Sequence, residues 1–123
     1  MQRARIASIN AKMAWKSKTE MESVGLADGF FPKIAVNYIS IPKGVRVGLH
    51  IHKRAAQVIV IISGHGTATL GKKKIKLLKG LVLHVPKNVP HAFHSIKKKI
   101  EMVVVQSPPV HMRGEETDTF DVK

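Results

Sequence analysis

Residues 44–64 read GVRVGLHIHKRAAQVIVIISG, and residues 80–95 read GLVLHVPKNVPHAFHS. In an extended strand successive side chains alternate faces, so His50 and His52 project together from one side. Gln57 opens the next apolar run, where a neighbouring strand can bring its amide oxygen alongside. His91 follows the turn Pro86–Pro90 and opens another strand, with Phe93 and Ser95 expected on its face. Three imidazoles and one amide from three strands can then converge inside a small barrel. That donor set suits one borderline divalent transition metal: iron, manganese, nickel, copper or zinc. A single strand histidine more often only finds a hydrogen-bond partner, so the pattern carries the expectation and no one residue does.

The flanking sequence continues the same grammar. Ile34–Ile41 is β-branched and roughly alternating, and Pro42-Lys43-Gly44 punctuates it. Further strands are expected at 45–52, 57–62, 66–70, 74–78, 81–85, 92–96 and 100–106. Turns are expected at Ser63-Gly64, Gly71-Lys72, Lys79-Gly80 and Pro86–Pro90. Short strands about ten residues apart predict an all-β sandwich or barrel. Thr19-Glu20-Met21-Glu22 has the spelling of a helix capping box and predicts one short helical turn. Ser107-Pro108-Pro109 closes the last strand, and the remaining tail reads as loop. With 123 residues and 44% apolar composition, the chain suits one compact domain. We expect residues 1–30 to form an arm packed on or exchanged with a partner, 31–106 the barrel, and 107–123 an acidic tail.

Charge narrows the chemistry. Lysine and arginine number 21 against 8 acids, a formal charge of +13, which favours a small anionic partner. No aspartate or glutamate occurs between Gly29 and Ile100, so a pair of catalytic carboxylates cannot be built from that segment. Absent cysteine excludes thiolate metal sites and cysteine nucleophiles. The longest apolar run, Val58–Ile62, is far short of a membrane span. No apolar segment of signal-peptide kind follows the basic first residues, so a cytoplasmic location is the expectation. The runs Lys72–Lys74 and Lys97–Lys99 read as solvated turns. One tryptophan, one tyrosine and no room for a reading helix argue against nucleic acid. Acids of the tail, Glu115, Glu116, Asp118 and Asp121, can fold back on the basic body or a neighbouring subunit. One of them could also supply a carboxylate to the metal.

The spacing resembles the two motifs of the cupin superfamily. Gly44, five residues, His50-Ile51-His52, four residues, Gln57, six residues and Gly64 match the first. Gly80, five residues, Pro86-Lys87-Asn88, two residues, His91, three residues and Ser95 match the second, fifteen residues further on. The resemblance implies a cupin-type double-stranded β-helix, a jelly-roll barrel, with His50, His52, Gln57 and His91 as metal ligands and a homodimer as the common assembly. This chain departs from the pattern at three points. Gln57 stands where the family usually has glutamate, Asn88 where it has glycine, and Ser95 where it has asparagine. Asparagine tolerates the left-handed backbone that a glycine position requires. Four neutral ligands leave a divalent ion at +2, a stronger Lewis acid that holds anions better but is itself held less tightly.

Among other residues, Tyr38 and Phe93 are candidates for the cavity wall, and Arg46 shares strand parity with His50 and could meet an anion at the mouth. His94 should point away from His91. His65 and His84 read as solvent-facing or packing residues. By resemblance to quercetinases and acireductone dioxygenases, the first functional expectation is oxygenase-type chemistry on a small anionic organic substrate. The alternatives are a non-redox isomerase or lyase acting on a sugar or keto acid, and a non-catalytic ligand-binding cupin. The scarcity of a central base weighs against the isomerase.

Overall fold

The computed structural model describes residues 15–16, 21–25, 33–109 and 118–122. Their strands are β1 (Trp15–Lys16), β2 (Glu22–Gly25), β3 (Ala35–Ile41), β4 (Val47–Ile51), β5 (Ala56–Leu70), β6 (Lys73–Leu77), β7 (Val82–Val85), β8 (His91–Ser107) and β9 (Phe120–Asp121). All pairings are antiparallel, in the order β1-β2-β3-β8-β4-β9, with β5 joined to β6, β7 and β8. The expected all-β jelly-roll is the fold observed. None of the described residues forms a helix long and apolar enough to cross a membrane.

Two long strands build the barrel. The C-terminal part of β8 pairs with β3 and its N-terminal part with β4, while β5 follows β8 along nearly its whole length. At its own two ends β5 takes on β7 and β6. The β5–β8 ribbon therefore runs through both walls of a curled sheet, and the inward residues of each wall meet in one core. Ile41, Ile59, Ile61, Leu83, Val85, Met102 and Val104 come from one wall, and Val47, Ala68, Leu77 and Phe93 from the other. Each fully buried Ile or Leu stabilises the barrel by about 1.5–3 kcal/mol.

Several local expectations are corrected. Ser63-Gly64 and Lys97–Lys99 are not turns; they lie inside β5 and β8, so four expected short strands become two long ones. The register slips between Ile61 and Thr67, which lets the bent ribbon stay paired where alternation breaks down. Gly64 makes this possible, with a φ of +106° and no room for a side chain against the backbone of Lys99 and Ile100. Lys73 and Lys74 likewise sit in β6. Glu22 belongs to a strand paired with Ser40, not to a helical turn, and Thr19 and Glu20 lie outside the described residues. The tail is not all loop, because β9 pairs with β4.

Candidate metal centre

The site forms where β4 ends and β8 begins. His50 pairs with His91 across these strands, and His52 follows one residue after β4. A hydrogen bond from the Asn88 amide to the His52 carbonyl, 2.8 Å, draws the loop before β8 against the end of β4. That loop turns through Asn88 at φ 64°, the left-handed conformation expected of an asparagine in a glycine position.

The three rings converge. His50 and His91 have centroids 4.1 Å apart, His52 and His91 4.9 Å, and His50 and His52 5.0 Å. All three side chains are buried, and one nitrogen from each lies within 4.8 Å of the others. Each Nδ1 faces a carbonyl oxygen: Gly48 for His50 at 2.7 Å, Asp118 for His52 at 3.0 Å, and Val89 for His91 at 3.1 Å. A carbonyl only accepts, so every Nδ1 carries the proton and donates it. Every Nε2 then keeps its lone pair for the centre of the cluster.

For His91, electrostatics favour the same protonation state. Burial first, and then the neighbouring His50, lower the His91 pKa from 6.5 to about 3; His52 adds in the same sense and the Val89 carbonyl opposes. A buried, converging trio of imidazoles, each with Nδ1–H donated to a carbonyl, fits a divalent transition metal, which needs unprotonated nitrogen donors. Second-sphere carbonyls that fix the ring tautomers complete the fit.

The other predicted residues are placed as follows. Gln57 is half-buried at the start of β5, and its Nε2 donates to Gln106 Oε1 at 3.5 Å. The Gln106 Nε2 is buried and has no acceptor among the described residues. Phe93 packs edge-on to His91, with centroids 6.5 Å apart, as strand alternation from His91 requires. Tyr38 is buried, but alternation along β3 puts it opposite the core residue Ile41, where its hydroxyl donates to Glu101 at 2.7 Å. Arg46 does not share a face with His50. A bulge between Val47 and His50 turns both of those residues inward, which leaves Arg46 exposed on the other side. Ser95 is turned out as well: its φ is 53°, it is exposed, and Ile96 takes the inward position. His94 points away from the cluster, and its Nε2 lies 3.1 Å from Thr69 Oγ1. His65 and His84 are exposed.

Sequence reasoning missed the role of Asp118. The tail does fold back, yet its carboxylate does not join the histidine cluster. It accepts the backbone amides of Lys53, Arg54 and Ala55 instead. Glu115 and Glu116 lie outside the described residues. A signal existed: the segment after His52 needs an anion for its free amides, and no acid between 29 and 100 can supply one.

The fold is a small β-barrel that carries a buried tri-histidine cluster, a candidate metal site. Residues 37–106 match the cupin domain family, more than half of the chain, and the protein belongs to that family. An uncharacterized protein of Streptomyces coelicolor is 36% identical over 53 residues, 43% of this chain and 50% of that protein. Another, of Methanocaldococcus jannaschii, is 30% identical over 56 residues, 46% of this chain and 45% of that protein. The chain thus spans about half the length of the curated relatives it matches. Among solved structures, KdgF from Halomonas superimposes with a TM-score of 0.74 at 16% identity, covering 86% of this chain and 94% of KdgF. The nucleoside dehydratase Pac13 of Streptomyces gives 0.73 at 16% identity, covering 99% and 92%. At these identities the structural likeness establishes the fold.

Proposed function

We propose that this cupin binds one divalent transition metal through His50, His52 and His91 and acts on a small anionic organic substrate, with dioxygen as the oxidant. The observation that carries the proposal is the cluster of three buried imidazoles, each with Nδ1 committed to a carbonyl and one nitrogen of each ring within 4.8 Å of the others. A bound metal would polarise a substrate oxygen and, if redox-active, exchange electrons with dioxygen. With only neutral ligands it would keep its full +2 charge, which favours a carboxylate or enediolate over a neutral substrate. Phe93 and the aliphatic core exclude water beside His91. Asp118 is a buried acid whose oxygens are already engaged by backbone amides. Among the described residues the histidine cluster includes no carboxylate to act as base, which supports oxidation over carbonyl isomerisation.

A second reading, a non-redox lyase, is favoured by the likeness to Pac13, a nucleoside dehydratase. Elemental analysis of protein purified without added metal, followed by turnover of α-hydroxy acids and enediols with and without oxygen, separates the two. Stoichiometric iron, manganese, nickel or copper with oxygen-dependent turnover supports the oxygenase; zinc with oxygen-independent turnover replaces it with the lyase. Failure to take up any metal overturns both and leaves a ligand-binding cupin.

Gln57 belongs to the proposal as a fourth ligand or as the residue that orients a metal-bound water. Gln57→Glu is expected to tighten metal binding roughly 10-fold or more, since a carboxylate donates better than an amide. The new carboxylate can also accept from the buried Gln106 amide, so the variant should fold. An unchanged dissociation constant in a competition titration would remove Gln57 from the ligand set.

His52→Ala should have a larger effect. Four-ligand zinc sites contribute about 10–16 kcal/mol, or about 3–4 kcal/mol per ligand, so affinity should fall roughly 100- to 1000-fold. Equilibrium dialysis against a metal buffer reads this directly. We also propose a homodimer: Val58, Ile62 and Val82 remain exposed and apolar on paired strands. A monomer mass by light scattering would remove that part.

A further inference from the structure

We propose that the C-terminal segment Asp118–Val122 is a clamp that positions the metal-site histidines, with Asp118 as its positioning residue, and that metal binding and docking of this segment strengthen each other. The inference rests on the metal reading above and assigns a function to a stretch that reading does not use.

The clamp grips the histidine strand at three places. At its start, Asp118 is 1% exposed, and its carboxylate spans the three amides that follow His52. Oδ1 accepts from Lys53 N and Arg54 N at 3.1 Å, and Oδ2 from Arg54 N and Ala55 N at 2.9 Å. In its middle, Phe120 pairs with Ile51 and Asp121 with His50, while the Lys53 ammonium lies 4.1 Å from the centre of the Phe120 ring. At its end, Val122 N donates to Leu49 O at 2.9 Å. The segment 49–55, which carries two of the three imidazoles, is thus held along its length by residues 118–122.

The sharper observation is an asymmetry among the rings. His50 and His91 each donate Nδ1–H to a carbonyl two residues away on their own strand or loop. Those tautomers are fixed locally, whatever the tail does. His52 donates to the carbonyl of Asp118, 66 residues away in sequence. Of the three Nδ1–H bonds, that of His52 alone reaches the tail. When the segment is docked, this bond holds the proton on His52 Nδ1 and leaves Nε2 as the lone-pair donor; when it is undocked, that bond and the tautomer it fixes are lost, which weakens His52 as a ligand.

The carboxylate explains why an acid is required at this position. Three consecutive amides converging on one point form an anion-binding concavity in a chain of net charge +13. The acid cannot come from the central segment, which has none between Gly29 and Ile100, so it is supplied from the tail. Coupling between the two events is then reciprocal. If docking improves metal affinity, metal must stabilise docking by the same factor.

The test uses the full chain and cobalt(II) as probe. Asp118→Ala is expected to weaken cobalt binding roughly 10- to 100-fold, the range typical of lost second-sphere support, with Asp118→Asn in between because one carboxamide oxygen remains to accept. Histidine nitrogen NMR of the metal-free proteins should show His52 leaving its single Nδ1–H tautomer in Asp118→Ala, while His50 and His91 keep theirs. In the unaltered protein, hydrogen exchange at the amides of residues 53–55 and 120–122 should slow on adding cobalt. Unchanged cobalt affinity in a folded variant with a lowered melting temperature would overturn the proposal and leave Asp118 a loop stabiliser. So would exchange at those amides that ignores cobalt, a measurement that needs no variant to fold. If the unaltered protein binds no cobalt, the metal reading falls and the coupling with it; the His52 tautomer then decides the clamp itself, and a tautomer indifferent to Asp118 would end it.

Discussion

Metal-free protein should lose stability steeply as the pH falls from 7 towards 4. The folded state holds the His91 pKa near 3 against 6.5 in the free side chain, because its ring is buried beside two others. Between those values the unfolded chain binds a proton that the folded chain refuses, so stability rises with pH across the window and is lost on acidification. The full gap corresponds to about 4–5 kcal/mol, reached only below pH 3, and the loss by pH 5 is already about 2 kcal/mol. Asp118 acts in the same sense at lower pH. Burial opposes its ionisation, but the amides of Ala55, Arg54 and Lys53, and then His52, outweigh burial and hold its pKa below the usual value. Its contribution is present above the ordinary carboxylate range and disappears as the pH falls through the folded value. Thermal melts from pH 7.5 to 4.5 check this. His91→Leu should flatten the upper part of the profile, and a melting temperature constant from pH 7 to 5 would mean that the ring is not held neutral. A bound metal competes with these protons and should protect the protein most at neutral pH.

What the sequence discloses and what it hides follow from how far each contact reaches. The imidazole spacing is local: His50 and His52 share a strand face, and His91 is delivered by a turn whose residues, including a left-handed Asn88, are legible one by one. Breaks in alternation are not legible in the same way. The bulge between Val47 and His50 reverses the expected face of Arg46, and the bend at Ser95 hands an inward position to Ile96. Nothing in period-two patterning announces one extra residue in a strand. The same limit divided β5 and β8 into four shorter strands, since Ser63-Gly64 and three consecutive lysines have turn-like composition. Asp118 was hidden by distance, its partners lying 63–66 residues away. Only a balance of charge over the whole chain hints that the amides after His52 must borrow an anion from elsewhere.

Gly64→Ala should be the most damaging single-methyl change in the barrel. Two costs add at this position. With a φ of +106°, any residue bearing a Cβ is strained, by about 1–3 kcal/mol. The added methyl would also overlap the Lys99 carbonyl oxygen and come within 2.7 Å of the Ile100 Cα, backbone atoms that cannot swing aside as a flexible side chain can. Relief requires β5 and β8 to separate where the ribbon crosses from one wall to the other, so we expect a total loss of about 3–5 kcal/mol. Two other glycines separate the contributions. Gly44 has a φ of +80° with nothing within 4 Å of an added Cβ, so Gly44→Ala carries the strain without the collision, about 1 kcal/mol. Gly48 has neither an unusual φ nor a neighbour within 4 Å, so Gly48→Ala should change stability by less than about 0.5 kcal/mol. Urea midpoints ordered Gly48→Ala, Gly44→Ala, Gly64→Ala from highest to lowest confirm the close crossing of the two long strands. If Gly64→Ala unfolds at the same urea concentration as Gly44→Ala, the ribbon has room at its bend, and β5 is two strands joined by a pliable turn after all.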